Sequence, residues 1–226
     1  RGIAARPEEI LITMGAQNAL WLTAQVLLDP TRKAAVEDPC YHALRDILRQ
    51  SGCQLAPLQV DTDGLPPDEL PPDTDVIFTT PSHQSPTTAT MPLARRRVLL
   101  DRARELDALI VEDDYEFELA FLAAPSPSLK SLDSDGRVIY VGSFSKSLCP
   151  GLRLGYIVGS EPFIRQARAL RASVLRHPPG HLQRTAAYFL SLGHFDAQIR
   201  RMSKALHERR EVIEQAVSQH GLTIAG

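Results

Sequence analysis

The stretch Val138-Ile-Tyr-Val-Gly-Ser-Phe-Ser-Lys146-Ser-Leu-Cys-Pro-Gly-Leu-Arg153 decides how this 226-residue chain is read. Val138 to Val141, all β-branched or aromatic, predict a strand buried on both faces. The strand runs directly into Gly142-Ser143-Phe144-Ser145-Lys146. Polar residues just past an apolar strand stand where open α/β sheets bind their ligands. A lysine amine that loses part of its hydration in such a cleft becomes nucleophilic toward an aldehyde. Ser143 and Ser145 offer hydroxyl donors to a phosphate, and Arg153 carries a guanidinium shaped to grip two phosphate oxygens at once. A lone lysine beside a loop is usually a solvated charge. The flanking serines and Arg153 move the reading toward a binding site.

Outward from this stretch, short apolar runs alternate with helical periodicity, the pattern of βα units around a mainly parallel sheet. Helices are expected over Gly15–Leu28, His42–Gln50, Leu93–Leu106, Glu161–Arg176, Leu182–Leu192 and His194–Gln219. Strands are expected at Ala34–Val36, Leu55–Val60, Val76–Thr79, Ala108–Val111, Val138–Val141 and Leu154–Val158. Three of these strands, those ending near Thr79, Val111 and Val141, lead into polar clusters.

Asp113 and Tyr115, in the cluster after Val111, are two apart and so share a face in extended backbone. A carboxylate there can keep a pyridine nitrogen protonated, and a phenol can bond an adjacent ring oxygen. Taken alone, Asp-Asp-Tyr after a strand is more often a cap or a turn. Gly15-Ala16-Gln17 opens a buried helix, whose free N–H groups and dipole suit a phosphate. Tyr41 is placed either to stack on a flat ring or to fill the core. His83 and Gln84 lie in the cluster after Thr79, either at the same ring oxygen or in a surface turn. A phosphate, an aldehyde, a pyridine nitrogen and a phenolic oxygen belong together in pyridoxal 5′-phosphate (PLP).

With these residues in view, Ser143-Phe-Ser-Lys146 with Pro150-Gly-Leu-Arg153 resembles the lysine motif of fold-type I aminotransferases. Thr80-Pro-Ser-His-Gln-Ser-Pro86, Val111-Glu-Asp-Asp-Tyr115, Gly193-His-Phe195 and Arg200-Arg-Met202 narrow the resemblance to the MocR/GabR group of the GntR superfamily. The resemblance implies an α/β fold: a mainly parallel sheet flanked by helices, the large domain of a fold-type I PLP-dependent aminotransferase. It implies that residues 1–226 form one aminotransferase-like PLP-binding domain, a fragment of a longer chain. An N-terminal winged helix that binds DNA and a C-terminal small domain would lie outside it. Lys146 is implied as the Schiff-base lysine, Asp113 as the pyridine-nitrogen partner and Tyr115 as the partner of the phenolic oxygen. Ala16, Gln17, Ser143, Ser145 and Arg153 would form the phosphate cup, with Tyr41 stacked on the ring. Two departures stand out: His83-Gln84-Ser85 replaces the usual Asn before Pro86, and Thr88 stands where glycine usually follows Pro-Thr.

The implied function is effector sensing in a transcriptional regulator, an amine or amino acid replacing Lys146 on the cofactor. The alternative is a free-standing class I/II aminotransferase, in which Lys146 shuttles a proton. A dinucleotide-binding module is disfavoured, because no Gly-x-Gly-x-x-Gly follows the first strand. A net charge of -2 gives no reason to expect nucleic acid or an anionic membrane as a partner of this segment. Arg95-Arg96-Arg97 and Arg209-Arg210 are expected to be solvated helix faces. Three scattered cysteines, with no metal or disulfide spacing and no signal sequence, lead to the expectation of a cytoplasmic protein, in this family a homodimer.

Overall fold

The computed structural model describes residues 1–116 and 126–222. Its strands are β1 (Ile10–Thr13), β2 (Lys33–Asp38), β3 (Gln54–Gln59), β4 (Val76–Thr79), β5 (Leu109–Asp114), β6 (Val138–Ser143) and β7 (Gly155–Val158). They form one seven-stranded sheet in the order β1-β7-β6-β5-β4-β2-β3. The five strands from β2 to β6 run parallel, whereas β7 is antiparallel to both β6 and β1. The sheet is therefore mainly parallel, as expected. β1 was not anticipated, although Ile10-Leu11-Ile12 is a short apolar run; it is fixed by pairing with β7.

The helices are α1 (Ala16–Leu27), α2 (His42–Gln50), α3 (Leu93–Glu105), α4 (Leu129–Leu132), α5 (Glu161–Leu175), α6 (Gly180–Ser191) and α7 (His194–Gln219). Successive strand residues point to opposite faces, and β4 shows the consequence. Val76 and Phe78 join one core with Leu20 and Leu48, while Ile77 joins another with Leu99 and Leu129. Helices α1, α2 and α5 cover the first face, and α3 and α4 the second.

Two local readings are corrected. The strand expected to stop at Val111 continues to Asp114, so Glu112, Asp113 and Asp114 belong to the sheet rather than to a turn. Arg96 is not on a solvated face but fully buried. Its guanidinium donates to the carbonyls of Met91 (3.0 Å), Pro81 (2.7 Å) and Pro127 (3.1 Å) and lies 3.7 Å from Glu112. Three carbonyls and a carboxylate satisfy a charge that periodicity alone assigned to water.

Candidate active site

One edge of the sheet gathers the carboxyl ends of β1, β4, β5 and β6 and the start of β7, because Thr13 and Ser143 both pair with Gly155. A cleft of about 430 Å³ opens there, lined by Ala16, Gln17, Leu20, Tyr41, Thr80, Ser85, Asp113, Tyr115, Glu116, Ser143, Ser145, Lys146 and Arg153. Nine residues singled out from the sequence thus meet in one place, and His83 and Gln84 do not.

At one end lies an anion cradle. Gly15, in the left-handed region at φ +82°, turns β1 into α1 and leaves the first N–H groups of that helix facing the cleft. A Cβ on Gly15 would lie 3.1 Å from Nη2 of Arg153, so the guanidinium rests against the bare glycine. At Gly155 a Cβ would lie 2.7 Å from the carbonyl carbon of Gly15 and 2.9 Å from the Ala16 nitrogen. The start of β7 and the start of α1 therefore touch backbone to backbone. Ser143 Oγ accepts from the Ser145 N–H at 3.2 Å, and Ser145 Oγ is buried with no hydrogen-bond partner among the described residues. Lys146 lines the cleft with an exposed side chain, not the partly desolvated one expected.

Across the cleft, Asp113 is buried and its Oδ1 also lacks a partner among the described residues. Burial, reinforced by the charges of Asp114 and Glu37, pushes this carboxyl up to about 7. Asp114 points the opposite way, where Arg1 Nε donates to its Oδ2 at 2.7 Å and Tyr140 Oη at 2.9 Å. Tyr115 Oη donates to the His83 carbonyl at 3.2 Å, and burial with nearby Glu116 and Asp113 raises the phenol, which stays neutral.

A profile of the family described as Aminotransferase class I and II matches residues 1–226. The chain belongs to that family. This aminotransferase-family chain is 58% identical over 226 residues to HTH-type transcriptional regulator TauR of Rhodobacter capsulatus, covering 100% of the chain and 47% of that protein. It is 36% identical over 221 residues to probable rhizopine catabolism regulatory protein MocR of Rhizobium meliloti, covering 97% and 45% respectively. The chain thus spans about half the length of these relatives. Among solved structures, LysN, the α-aminoadipate aminotransferase of Thermus thermophilus, was crystallised with N-(5′-phosphopyridoxyl)-L-leucine. It superposes with a TM-score of 0.88 at 31% identity, covering 95% of this chain and 57% of that one.

Against the aminotransferase pattern, the turn after β4 is rebuilt. Gln84 was expected at the cofactor, but its side chain is buried and fully used. Its Nε2 donates to Glu37 Oε2 (3.1 Å) and the Pro39 carbonyl (2.7 Å), and its Oε1 accepts from Thr87 N (2.9 Å) and Thr87 Oγ1 (2.6 Å). His83 was also expected there, but its ring sits edge-on to Tyr115 and 3.3 Å from Glu116, outside the lining. Of the three residues left open, Ser85 is the one that lines the cleft. Thr88 keeps the left-handed backbone of the glycine it replaces, with φ +66°. Thr80, Glu116 and Glu37 escaped the sequence reading. Thr80 follows β4 directly, so the strand-end rule that flagged its neighbours would have found it.

Proposed function

We propose that this chain binds PLP and, in the full-length protein, forms the effector-sensing domain of a transcriptional regulator that responds to an amine or amino acid. The observation that carries the reading is that two residues lining one cleft each carry a buried oxygen without a partner among the described residues: Asp113 Oδ1 and Ser145 Oγ. A buried polar atom without a partner costs about 1–3 kcal/mol. Asp113 Oδ1 accepts only, or donates when protonated, and so suits a ring N–H; Ser145 Oγ suits a phosphate oxygen.

When bound, PLP supplies an aldehyde that takes up amines and a ring that withdraws electrons. The chain's own residues do the rest. Lys146 holds the aldehyde carbon, and its amine can carry a proton. Asp113 keeps the ring nitrogen protonated. Tyr115, its hydroxyl turned from the His83 carbonyl, would donate to the phenolic oxygen, with Ser85 beside it. Tyr41 stacks on the ring, while Ala16, Gln17, Ser143, Ser145 and Arg153 hold the phosphate. Identity of 58% to a named regulator supports sensing over turnover. DNA contact would fall to a winged helix outside residues 1–226, in a homodimer in the cytoplasm. Among the described residues no helix is long and apolar enough to cross a membrane. The likeness to an aminotransferase of solved structure supports the second reading, a free-standing aminotransferase.

The test mixes full-length protein with PLP and a panel of amines and amino acids. It follows the cofactor spectrum, operator binding and keto-acid product together. A specific amine that changes both spectrum and DNA affinity, with slow or no turnover, is the expected result. Steady turnover at ~1 s⁻¹ or faster without amine-dependent DNA binding would establish the aminotransferase instead.

A further inference from the structure

Glu37, the penultimate residue of β2, is almost fully buried, and its described partners are all neutral. Its Oε1 accepts from Thr79 Oγ1 (2.6 Å) and the Thr80 N–H (3.0 Å). Its Oε2 accepts from Thr80 Oγ1 (2.6 Å) and Gln84 Nε2 (3.1 Å). The two hydroxyls can rotate, but the Thr80 N–H and the Gln84 amide are fixed donors. Gln84 cannot be turned over, because its Oε1 is held by Thr87. Each oxygen of Glu37 thus accepts from one fixed donor as well as from a threonine hydroxyl. The carboxylate also shares a small crevice with Asp113, Tyr41 and Thr80.

We propose that Glu37 is a positioning residue for the cofactor face of the cleft: through Thr80 and Gln84 it fixes the turn after β4, so that Ser85 and Tyr115 face one ring oxygen. The chain of contacts is continuous. Glu37 holds Gln84; the Gln84 backbone N–H donates to the Ala89 carbonyl at 2.9 Å and its carbonyl accepts from the Thr88 N–H at 2.8 Å, closing the turn. Ser85 follows Gln84 into the lining, and the preceding residue, His83, holds the Tyr115 hydroxyl beside the cleft by accepting its proton, which would turn to the ring oxygen when the cofactor binds. Gln84 in this account has left the cofactor to become the pin between Glu37 and Ser85. The proposal rests on the PLP reading above.

The experiment uses full-length protein carrying Glu37→Gln, with three readouts: PLP affinity by spectral titration, the pH midpoint of the bound cofactor's visible band, and the melting point of the cofactor-free protein. Glutamine keeps the shape but must set an NH₂ against a fixed donor. The turn then loosens, and donors to the phenolic oxygen are lost. Such donors favour its anionic form, so the pH midpoint should rise by about one unit and PLP affinity fall roughly tenfold. A lowered melting point with unchanged affinity and midpoint would show a merely structural residue and overturn the proposal. Gln84→Met cuts the same link at its other end and carries the same expectation; it decides the matter should Glu37→Gln fail to fold. If wild-type protein takes up no PLP, the cofactor reading itself falls. If wild type binds PLP and both variants match it in affinity and midpoint, the role of Glu37 alone is refuted.

Discussion

Replacing Asp113 with asparagine should strengthen the cofactor-free fold at pH 8 while weakening the hold on PLP. In the folded chain this carboxyl titrates at about 7 rather than at its ordinary 3.8. The folded state thus keeps a proton that the unfolded chain has released. The stability tied to that proton is complete below about 3.8 and lost as pH rises through about 7. Three units at 1.36 kcal/mol each set an upper bound of about 4 kcal/mol on the loss at pH 8. Asparagine has no such proton to lose. At about 2–4 °C per kcal/mol for a domain of this size, the variant should melt several degrees higher at pH 8. At pH 5.5 the unfolded chain has already released its proton, so about 1.7 units, or about 2 kcal/mol, of the loss is in place and the variant's advantage should be roughly half that at pH 8. Binding moves the other way. A charge-assisted hydrogen bond to the ring N–H is worth roughly 1.5–3 kcal/mol, so PLP affinity should fall ten- to a hundredfold. The assay pairs melting curves of cofactor-free wild type and variant at both pH values with PLP titrations. An equal stability change at pH 5.5 and 8, or an unchanged PLP affinity, would refute the assignment of an unpaired, proton-linked Asp113 facing the ring.

Lys146→Ala should still bind PLP through the phosphate cradle but lose the borohydride-reducible link, which mass spectrometry of the reduced protein would show; a lysine-linked cofactor elsewhere would defeat the assignment. Gly155→Ala should cost about 1–3 kcal/mol and at least tenfold in PLP affinity, because a Cβ there meets backbone at 2.7 Å and pushes the start of α1 off the cradle; calorimetry and titration read both. Thr88→Gly should stabilise the protein by about 1 kcal/mol in urea unfolding, since a β-branched residue is strained at φ +66°; a loss of stability would mean that the Thr88 hydroxyl matters more than its backbone.

How far the sequence carried depended on whether a role was written into local pattern or into pairing across the sheet. The parallel strands and long helices were legible because each carries its own period or apolar run; β4 and α7 fall where the pattern put them. Lys146 and Ser145 were legible as site residues because they follow one buried strand within a few positions, and Arg153 because it closes the same loop before β7. β1 was missed although Ile10-Leu11-Ile12 is as apolar as β4; its place comes from pairing with β7, far along the chain. Nor was the role of Gln84 legible: a glutamine in a polar loop looks the same whether it faces a ligand or a buried carboxylate contributed by β2. Arg96 failed for the mirror-image reason, because three charges in a row hide which of them points inward.

The three acids that end β5 show why direction matters more than residue type. Glu112 and Asp114 face the α3 and α4 side and both hold hydrogen bonds there, although Asp114 Oδ1 too has no partner among the described residues. Glu112 accepts from the N–H groups of Leu129 (2.8 Å) and Lys130 (2.9 Å), and Asp114 from Arg1 and Tyr140. Asp113, between them, faces α1, and its Oδ1 has no partner among the described residues. The fold thus spends hydrogen bonds on the two carboxylates at its back and leaves bare the one at its front. Burial without a partner destabilises folding, so the free energy withheld from Asp113 is available only when a donor enters the cleft. The same strand anchors the far side of the sheet through Glu112 and Asp114. The carboxyl facing the cleft is therefore held in place by its neighbours, with no described hydrogen bond at Oδ1 that a ligand would have to break.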